Sequence, residues 1–398
     1  MLEAGVKSVS FYVNGQWVKP VGRGTLPVNN PATGEVLAEV PLATPEDVDH
    51  AVQSAHAGYL KWRDVPVVDR VQVLYRYKAL LETHAAELAE ILTAENGKTL
   101  DDAKAEVRRG IQMVEVACGM PSLMLGDSLN DVSAGIDCKT IRQPLGVCVG
   151  ITPFNFPAMV PMWFFPIAIG AGNAVIIKPS EKDPTTSMLT AQYLKEAGLP
   201  DGVFNVVHGD KVAVDRILEH PDIASVSFVG STPIAKYIYE NGTKAGKRVQ
   251  ALGGAKNHML VLPDADLDLA ADAAVNAGFG SAGERCMAIS ALVVVEPVAD
   301  QLVAKIKERM ATLKTGDGTR DSDMGPLVTA VHRDKVVSYV DAGEKEGATL
   351  VVDGRNPKVN GESNGFWLGP TLFDNVTPKM SIYNDEIFGP VQIGRAHV

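Results

Sequence analysis

The chain has 398 residues, 46% apolar and 21% charged, which excludes a peptide hormone, a disulfide-stapled module or a disordered chain and leaves room for two to three domains of about 150 residues. Its 48 acidic against 37 basic residues give a net charge of −11, which argues against a partner held through phosphate contacts, so no nucleic acid is expected. Cys118, Cys138, Cys148 and Cys286 form no C-x-x-C pair and there is no H-E-x-x-H, so no metal site is expected; residues 1–10 show no apolar targeting core, which reads as a reduced, cytoplasmic setting.

Strand-like alternation over 10–18 and 35–41 opens the chain, the second run following an Asn30–Gly34 turn. Thr44-Pro45-Glu46-Asp47 is a helix start, with the apolar period continuing through Val48, Val52 and Ala55. A second helix is predicted over 66–94, closing at Asn96-Gly97, and a third over 99–117 with Asp101 and Asp102 in its first turn. Polar alternation over 119–141 predicts a hairpin or arm. Residues 147–177 carry no charge and are numerous enough to span a bilayer, but Pro153, Pro157, Pro161 and Pro166 forbid a regular helix. They read as a buried strand (145–151), helix (158–169) and strand (174–178). Helix 184–197, strand 204–208, helix 211–219, strand 224–229 and helix 233–244 follow, an alternation that implies a parallel, doubly wound sheet. A second α/β block starts near Val249 and contains strand 291–295 and helix 298–313.

Four segments could carry chemistry. Phe228-Val229-Gly230-Ser231-Thr232-Pro233 joins a strand to a helix whose N-terminus either holds a pyrophosphate or is a plain capping turn, since G-x-G-x-x-G is absent. Lys178-Pro179-Ser180-Glu181 ends another strand of the same sheet, where Glu181 either accepts from a ribose diol or lies in a solvated loop. Small residues from Gly278 lead to Glu284-Arg285-Cys286, where a cation beside the thiol would favour the reactive thiolate; the alternative is an inert small hydrophobe. Asn155, between Phe154 and Phe156, either donates to an oxyanion or satisfies its turn.

Taken in order, P-F-N-F-P, K-P-S-E, F-V-G-S-T, G-E-R-C and E-I-F-G-P-V resemble the aldehyde dehydrogenase superfamily over essentially the whole chain. Gly146–Met159, Gly254-Ala255-Lys256-Asn257-His258 and Arg285-Cys286-Met287 resemble its CoA-acylating branch, which acts on methylmalonate semialdehyde. The resemblance implies an α/β fold: a Rossmann-type parallel-sheet cofactor domain (1–119 and 142–251), an oligomerisation arm (120–141) and a second α/β catalytic domain (252–398). It implies Cys286 as nucleophile and Asn155, with the Cys286 backbone N–H, as oxyanion donor. It places Phe154, Lys178, Glu181, Gly230 and Ser231 against NAD, with Glu386 and Phe388 on the nicotinamide ribose side, and Arg109 and Arg285 on the substrate carboxylate. Glu181 favours NAD over NADP, because a carboxylate repels a 2′-phosphate.

Hydrolytic relatives carry E-L-G-G-K, whose glutamate activates water four residues before the lysine; here that position is Leu252, and one residue earlier is Ala251. Coenzyme A is therefore the expected acyl acceptor, with methylmalonate or malonate semialdehyde giving propionyl-CoA or acetyl-CoA, from a homo-oligomer (dimer or tetramer) with no membrane partner. A hydrolytic aldehyde dehydrogenase and an inactive truncated fragment are the alternatives. Two departures bear on this. Glu284 replaces the branch's usual glutamine, and residues after Val391 depart from the family strand. Ile393–Val398 back-translate as ATC GGA AGA GCA CAC GTC, a sequencing-adapter start, so the expectation is a catalytic sheet missing its last strands and left with an unpaired edge.

Overall fold

The computed structural model describes residues 7–20, 23–361 and 364–396. Two compact units emerge: residues up to Val28, Ala38–Ala89 and Lys104–Gly253 form the first, and Asn29–Leu37, Glu90–Ala103 and residues from Gly254 onward the second.

The first unit is built on a seven-stranded sheet. Its strands are β1 (Phe11–Val13) and β2 (Gln16–Val18), then, after a separate hairpin of β3 (Ser128–Ser133) and β4 (Ile136–Lys139), β5 (Val147–Ile151), β6 (Ala174–Lys178), β7 (Phe204–Val206), β8 (Ile223–Val229) and β9 (Arg248–Leu252). The order is β9-β8-β5-β6-β7-β1-β2, parallel from β9 to β7 and antiparallel across β7-β1-β2. The uncharged stretch read from the sequence is thus β5, a helix and β6, and all five side chains of β6 are buried. Among the described residues no helix is long and apolar enough to cross a membrane.

Helix α1 (Pro45–Trp62) starts in a capping box: Asp47 N–H donates to Thr44 Oγ1 at 3.2 Å and Thr44 N–H to Asp47 Oδ2 at 2.9 Å. Its Val48, Ala51, Val52 and Ala55 face Val147, Val149, Ala174 and Ile176 of the sheet. Each fully buried valine or isoleucine there contributes roughly 1.5–3 kcal/mol. The predicted helix over 66–94 is two helices, α2 (Val67–Thr83) and α3 (Ala85–Asn96), because His84 leaves helical space (φ −102°, ψ 14°) after its N–H closes the last turn on Leu80. Then come α4 (Leu100–Cys118), α5 (Met159–Gly170), α6 (Thr185–Glu196), α7 (Lys211–Glu219) and α8 (Thr232–Lys244). Tyr77 of α2, Phe165 of α5 and Phe204 of β7 stack edge to face at 5.8 and 5.1 Å, filling the other face.

The second unit has a five-stranded sheet of β10 (Asn257–Val261), β11 (Ile289–Val294), β12 (Thr349–Val352), β13 (Thr371–Asp374) and β14 (Val391–Ala396), ordered β10-β11-β14-β13-β12. Helices α9 (Leu267–Phe279) and α10 (Glu296–Met310) share a core with Leu292 and Val294, while α11 (Ala330–Lys345) packs Val336 and Val340 with Phe373 and Ile393.

The strand from Val391 is not itself the edge of this sheet, whose edges are β10 and β12. β14 is the central strand, with Thr371, Leu372 and Phe373 opposite Val391, Gln392 and Ile393 on one side and Ala291 opposite Ile393 on the other. Gln392, fully buried, donates to the carbonyls of Ala274 (2.9 Å) and Ile289 (3.2 Å), so a polar side chain is accommodated there by its hydrogen bonds.

Candidate active site

In the first unit the chain builds outward from β5 through β6 and β7, then crosses to the other flank of β5 for β8 and β9. Such a reversal opens a crevice beyond the carboxyl ends of the strands, the ligand site of open α/β sheets. The sequence-predicted residues of this unit gather at that edge. Phe154 and Asn155 follow β5, Lys178 ends β6 with Glu181 just beyond, and Gly230 and Ser231 join β8 to α8.

Each is held by local physics. Gly230 must lack a Cβ, which would collide with the Phe228 ring. Ser231 is the N-cap of α8, yet its side chain makes no capping hydrogen bond, so the helix N-terminus with its partial positive charge stays available to an anion. Lys178 is buried; its Nζ donates to the Gly209 carbonyl at 2.7 Å and lies 3.5 Å from Glu181 Oε2. Burial pulls its pKa down and the Glu181 charge opposes the shift. Lys182 Nζ sits 4.2 Å over the Phe154 ring, a contact the motif did not announce. Asn155 is only 4% exposed. These groups, a helix N-terminus with a free cap, a carboxylate and a buried ammonium, fit the pyrophosphate and ribose of a dinucleotide.

In the second unit α9 runs into a tight turn, Gly280–Gly283, in which Ser281 (φ 49°), Ala282 (φ 53°) and Gly283 (φ 70°) are all left-handed. For Ser and Ala this costs about 1–2 kcal/mol each. Gly283 has no alternative, since a Cβ would strike the Gly389 carbonyl. The turn is held by Asp102, which accepts from the Ser281 N–H at 3.0 Å and from the Arg285 guanidinium.

Cys286 follows, half-buried and a free thiol. The expectation that Arg285 activates it fails, because that guanidinium is turned onto Asp102. Burial, then the charge of Glu386, pushes the thiol pKa up, while the backbone N–H groups of Cys286 and Met287 pull it down. Those two amides therefore point toward the sulfur. Asn257, which the sequence analysis did not single out, donates through Nδ2 to the carbonyls of Cys286 and Ala288, both at 2.9 Å, and so clamps the backbone around Cys286.

Glu284 does not add its charge to the thiol's surroundings. It is 3% exposed, accepts from the Val328 N–H at 3.4 Å and lies 3.5 Å from His332 Nε2. That same nitrogen donates to the Phe388 carbonyl at 2.6 Å, steadying a residue with φ 60°. Burial raises the pKa of the neighbouring Glu386, opposed by the Ala255 N–H and by Lys256 and Lys335. Lys256 donates to the carbonyls of Ile382 (2.7 Å) and Asp385 (2.9 Å), and burial lowers its pKa to about 8.

Arg109 lies exposed on α4, and Leu252 ends β9 with no acidic group at that position or at Ala251. No group of three or more His, Cys, Asp or Glu among the described residues could hold a metal.

An aldehyde dehydrogenase family profile matches residues 17–393. The chain belongs to the aldehyde dehydrogenase family. A malonate-semialdehyde dehydrogenase of Pseudomonas aeruginosa is 54% identical over 381 residues, covering 95% of this chain and 76% of that protein. Malonate-semialdehyde dehydrogenase 1 of Bacillus licheniformis is 50% identical, covering 98% of this chain and 80% of its own length. Among solved structures, a Sinorhizobium meliloti 1021 protein crystallised with NAD and assigned as a methylmalonate-semialdehyde dehydrogenase superposes with TM-score 0.96 at 48% identity, covering 100% of this chain and 81% of that one. The methylmalonate-semialdehyde dehydrogenase of Oceanimonas doudoroffii gives the same TM-score and identity, covering 99% and 80%.

Proposed function

We propose that this aldehyde dehydrogenase oxidises malonate semialdehyde or methylmalonate semialdehyde with NAD and passes the acyl group to coenzyme A. The observation that carries the reading is a half-buried thiol beside two backbone N–H groups, with aliphatic residues where a water-activating carboxylate would stand, in a chain 54% identical to a malonate-semialdehyde dehydrogenase.

Cys286 sulfur, as thiolate, attacks the aldehyde carbon, forming a C–S bond while the carbonyl oxygen takes the negative charge. The amides of Cys286 and Met287 donate to that oxygen, and Asn155 keeps the donor role its motif implies. NAD, when bound, supplies the hydride acceptor that turns this adduct into a thioester; Lys178, Glu181, Gly230 and Ser231 would hold its adenosine and pyrophosphate, and Phe154, Glu386 and Phe388 the remainder. A carboxylate β to the thioester carbonyl leaves readily as carbon dioxide, its electron pair passing into that carbonyl, and the enolate so formed takes a proton from solvent at its α-carbon. With no carboxylate at 251 or 252 to activate water, the acyl group waits for the CoA thiolate, which expels the Cys286 sulfur and releases acetyl-CoA or propionyl-CoA.

Arg109 takes the substrate carboxylate, as the resemblance implies. Arg285, which the same resemblance gave that role, is neutralised by Asp102, so we assign it to holding the turn. The enzyme works in the cytoplasm as a dimer or tetramer. The β3–β4 hairpin, with Leu129, Val132 and Ile136 exposed, supports such an assembly.

Mass spectrometry of the products tests the reading. Acetyl-CoA or propionyl-CoA is expected when CoA is present, and a predominance of free acetate or propionate under those conditions refutes transfer to CoA.

A further inference from the structure

At the opposite edge of the first unit's sheet, where β5 and β6 begin, a cavity of about 340 Å³ is lined by Arg63, Arg70 and Arg142 together with Tyr59, Asp64 and Met124. It lies a whole strand away from the cofactor edge: β6 alone is five residues, about 16 Å at 3.3 Å per residue.

Arg70 is the unusual member. It is 4% exposed, yet it meets only neutral acceptors: Nε donates to the Gly170 carbonyl at 3.0 Å, and Nη1 to the carbonyls of Val65 (2.9 Å) and Arg63 (3.4 Å). Nη2 has only the Met124 sulfur at 3.4 Å, a weak acceptor that itself lines the cavity. No carboxylate pairs with Arg70 among the described residues. A buried cation is ordinarily paired with an anion. The fold makes room for it: Gly172, at φ +97°, would bring a Cβ within 2.8 Å of Nη1. Burial alone lowers its pKa, with no acidic group opposing the shift.

Its neighbours add positive charge. Arg142 donates through Nε to the Leu125 carbonyl at 3.0 Å, leaving its two terminal nitrogens without a partner among the described residues. Arg63 stands 3.5 Å from Asp64 and 5.6 Å from the Tyr59 ring centre, and Asp64 is 78% exposed. Three guanidinium groups thus face one solvated carboxylate, on a chain whose net charge is −11.

We propose that this cavity is an oxyanion site, distinct from the catalytic edge, which binds inorganic phosphate through the guanidinium groups of Arg70, Arg142 and Arg63. Guanidinium forks match the oxygens of phosphate in both charge and geometry. The cavity is within the roughly 300–1,000 Å³ of small-molecule sites, large enough for the ion with its remaining water.

Calorimetric titration with sodium phosphate, in saturating NAD so that the cofactor edge is closed, and against sodium chloride at equal ionic strength, tests this. Saturable binding of one phosphate per chain is expected, accompanied by a rise in the thermal midpoint that chloride does not give. Arg63→Gln combined with Arg142→Gln, both at exposed positions, should weaken it by at least about tenfold while leaving NAD affinity unchanged. Absence of saturable binding, or a double variant that binds phosphate as the parent does, overturns the proposal.

Discussion

The Arg285 guanidinium donates to the Asp102 carboxylate, whose second oxygen accepts the Ser281 N–H at 3.0 Å. One acid thereby ties the residue before Cys286 to a turn of left-handed residues that would otherwise relax. Asp102→Asn keeps an acceptor for one of these bonds but loses the charge pair. It should lower kcat by at least about tenfold with NAD affinity within about twofold, and Arg285→Lys should lower kcat as well, because an ammonium lacks the guanidinium's separate Nε donor to Ser281 Oγ at 3.4 Å. Steady-state rates alongside NAD titration by fluorescence check both.

Cys286→Ala should abolish NADH formation, a loss of at least about a thousandfold, because the proposed mechanism forms its covalent adduct on that sulfur. NAD binding should persist. Activity within tenfold of the parent would overturn the nucleophile assignment.

Glu386 and burial together keep the Cys286 thiol above its ordinary pKa. Replacing Glu386 by Gln removes a negative charge and so favours the thiolate. The pH profile of Cys286 alkylation by iodoacetamide should then move to lower pH, and no movement, or one toward higher pH, would contradict the electrostatic account.

His208 is wholly buried, and burial together with the Lys178 charge pushes its pKa down to about 3. Below pH 6.5 the unfolded chain protonates this ring while the folded one does not, so the unfolded state binds more protons. Stability should fall by about 1.4 kcal/mol per pH unit from this residue between pH 6.5 and 3, and recover as pH rises. Denaturation midpoints measured across that range should decline less steeply in His208→Gln.

Much of this molecule was legible locally. An uncharged Val147–Ile177 run broken by prolines could only be strand, helix and strand, and the strand-end residues Asn155, Lys178, Glu181 and Ser231 fall on one sheet edge because parallel strands place all their carboxyl ends together. The break at His84 was not legible, since neither proline nor glycine marks it. Nor could the orientation of Arg285 be read: its partner is 183 residues earlier, and beside a cysteine a guanidinium looks like an activator until the fold turns it away. Glu284 likewise looked like a charge near the anion site, and only the position of His332 on α11 shows where it goes. The place of β14 eluded the sequence for the same reason, because register between strands is a long-range property.

The central position of β14 also sets an order on biosynthesis. Every residue of the first unit precedes Gly254, so that unit can complete its sheet while the ribosome is still translating. The second cannot: β11 and β13 acquire their shared neighbour only once Val391–Ala396 has left the exit tunnel. Asn29–Leu37 and Glu90–Ala103, made early, must wait through most of translation for the unit they join. During that interval the nascent chain carries two open strand edges, and it is then that chaperones have the most to protect.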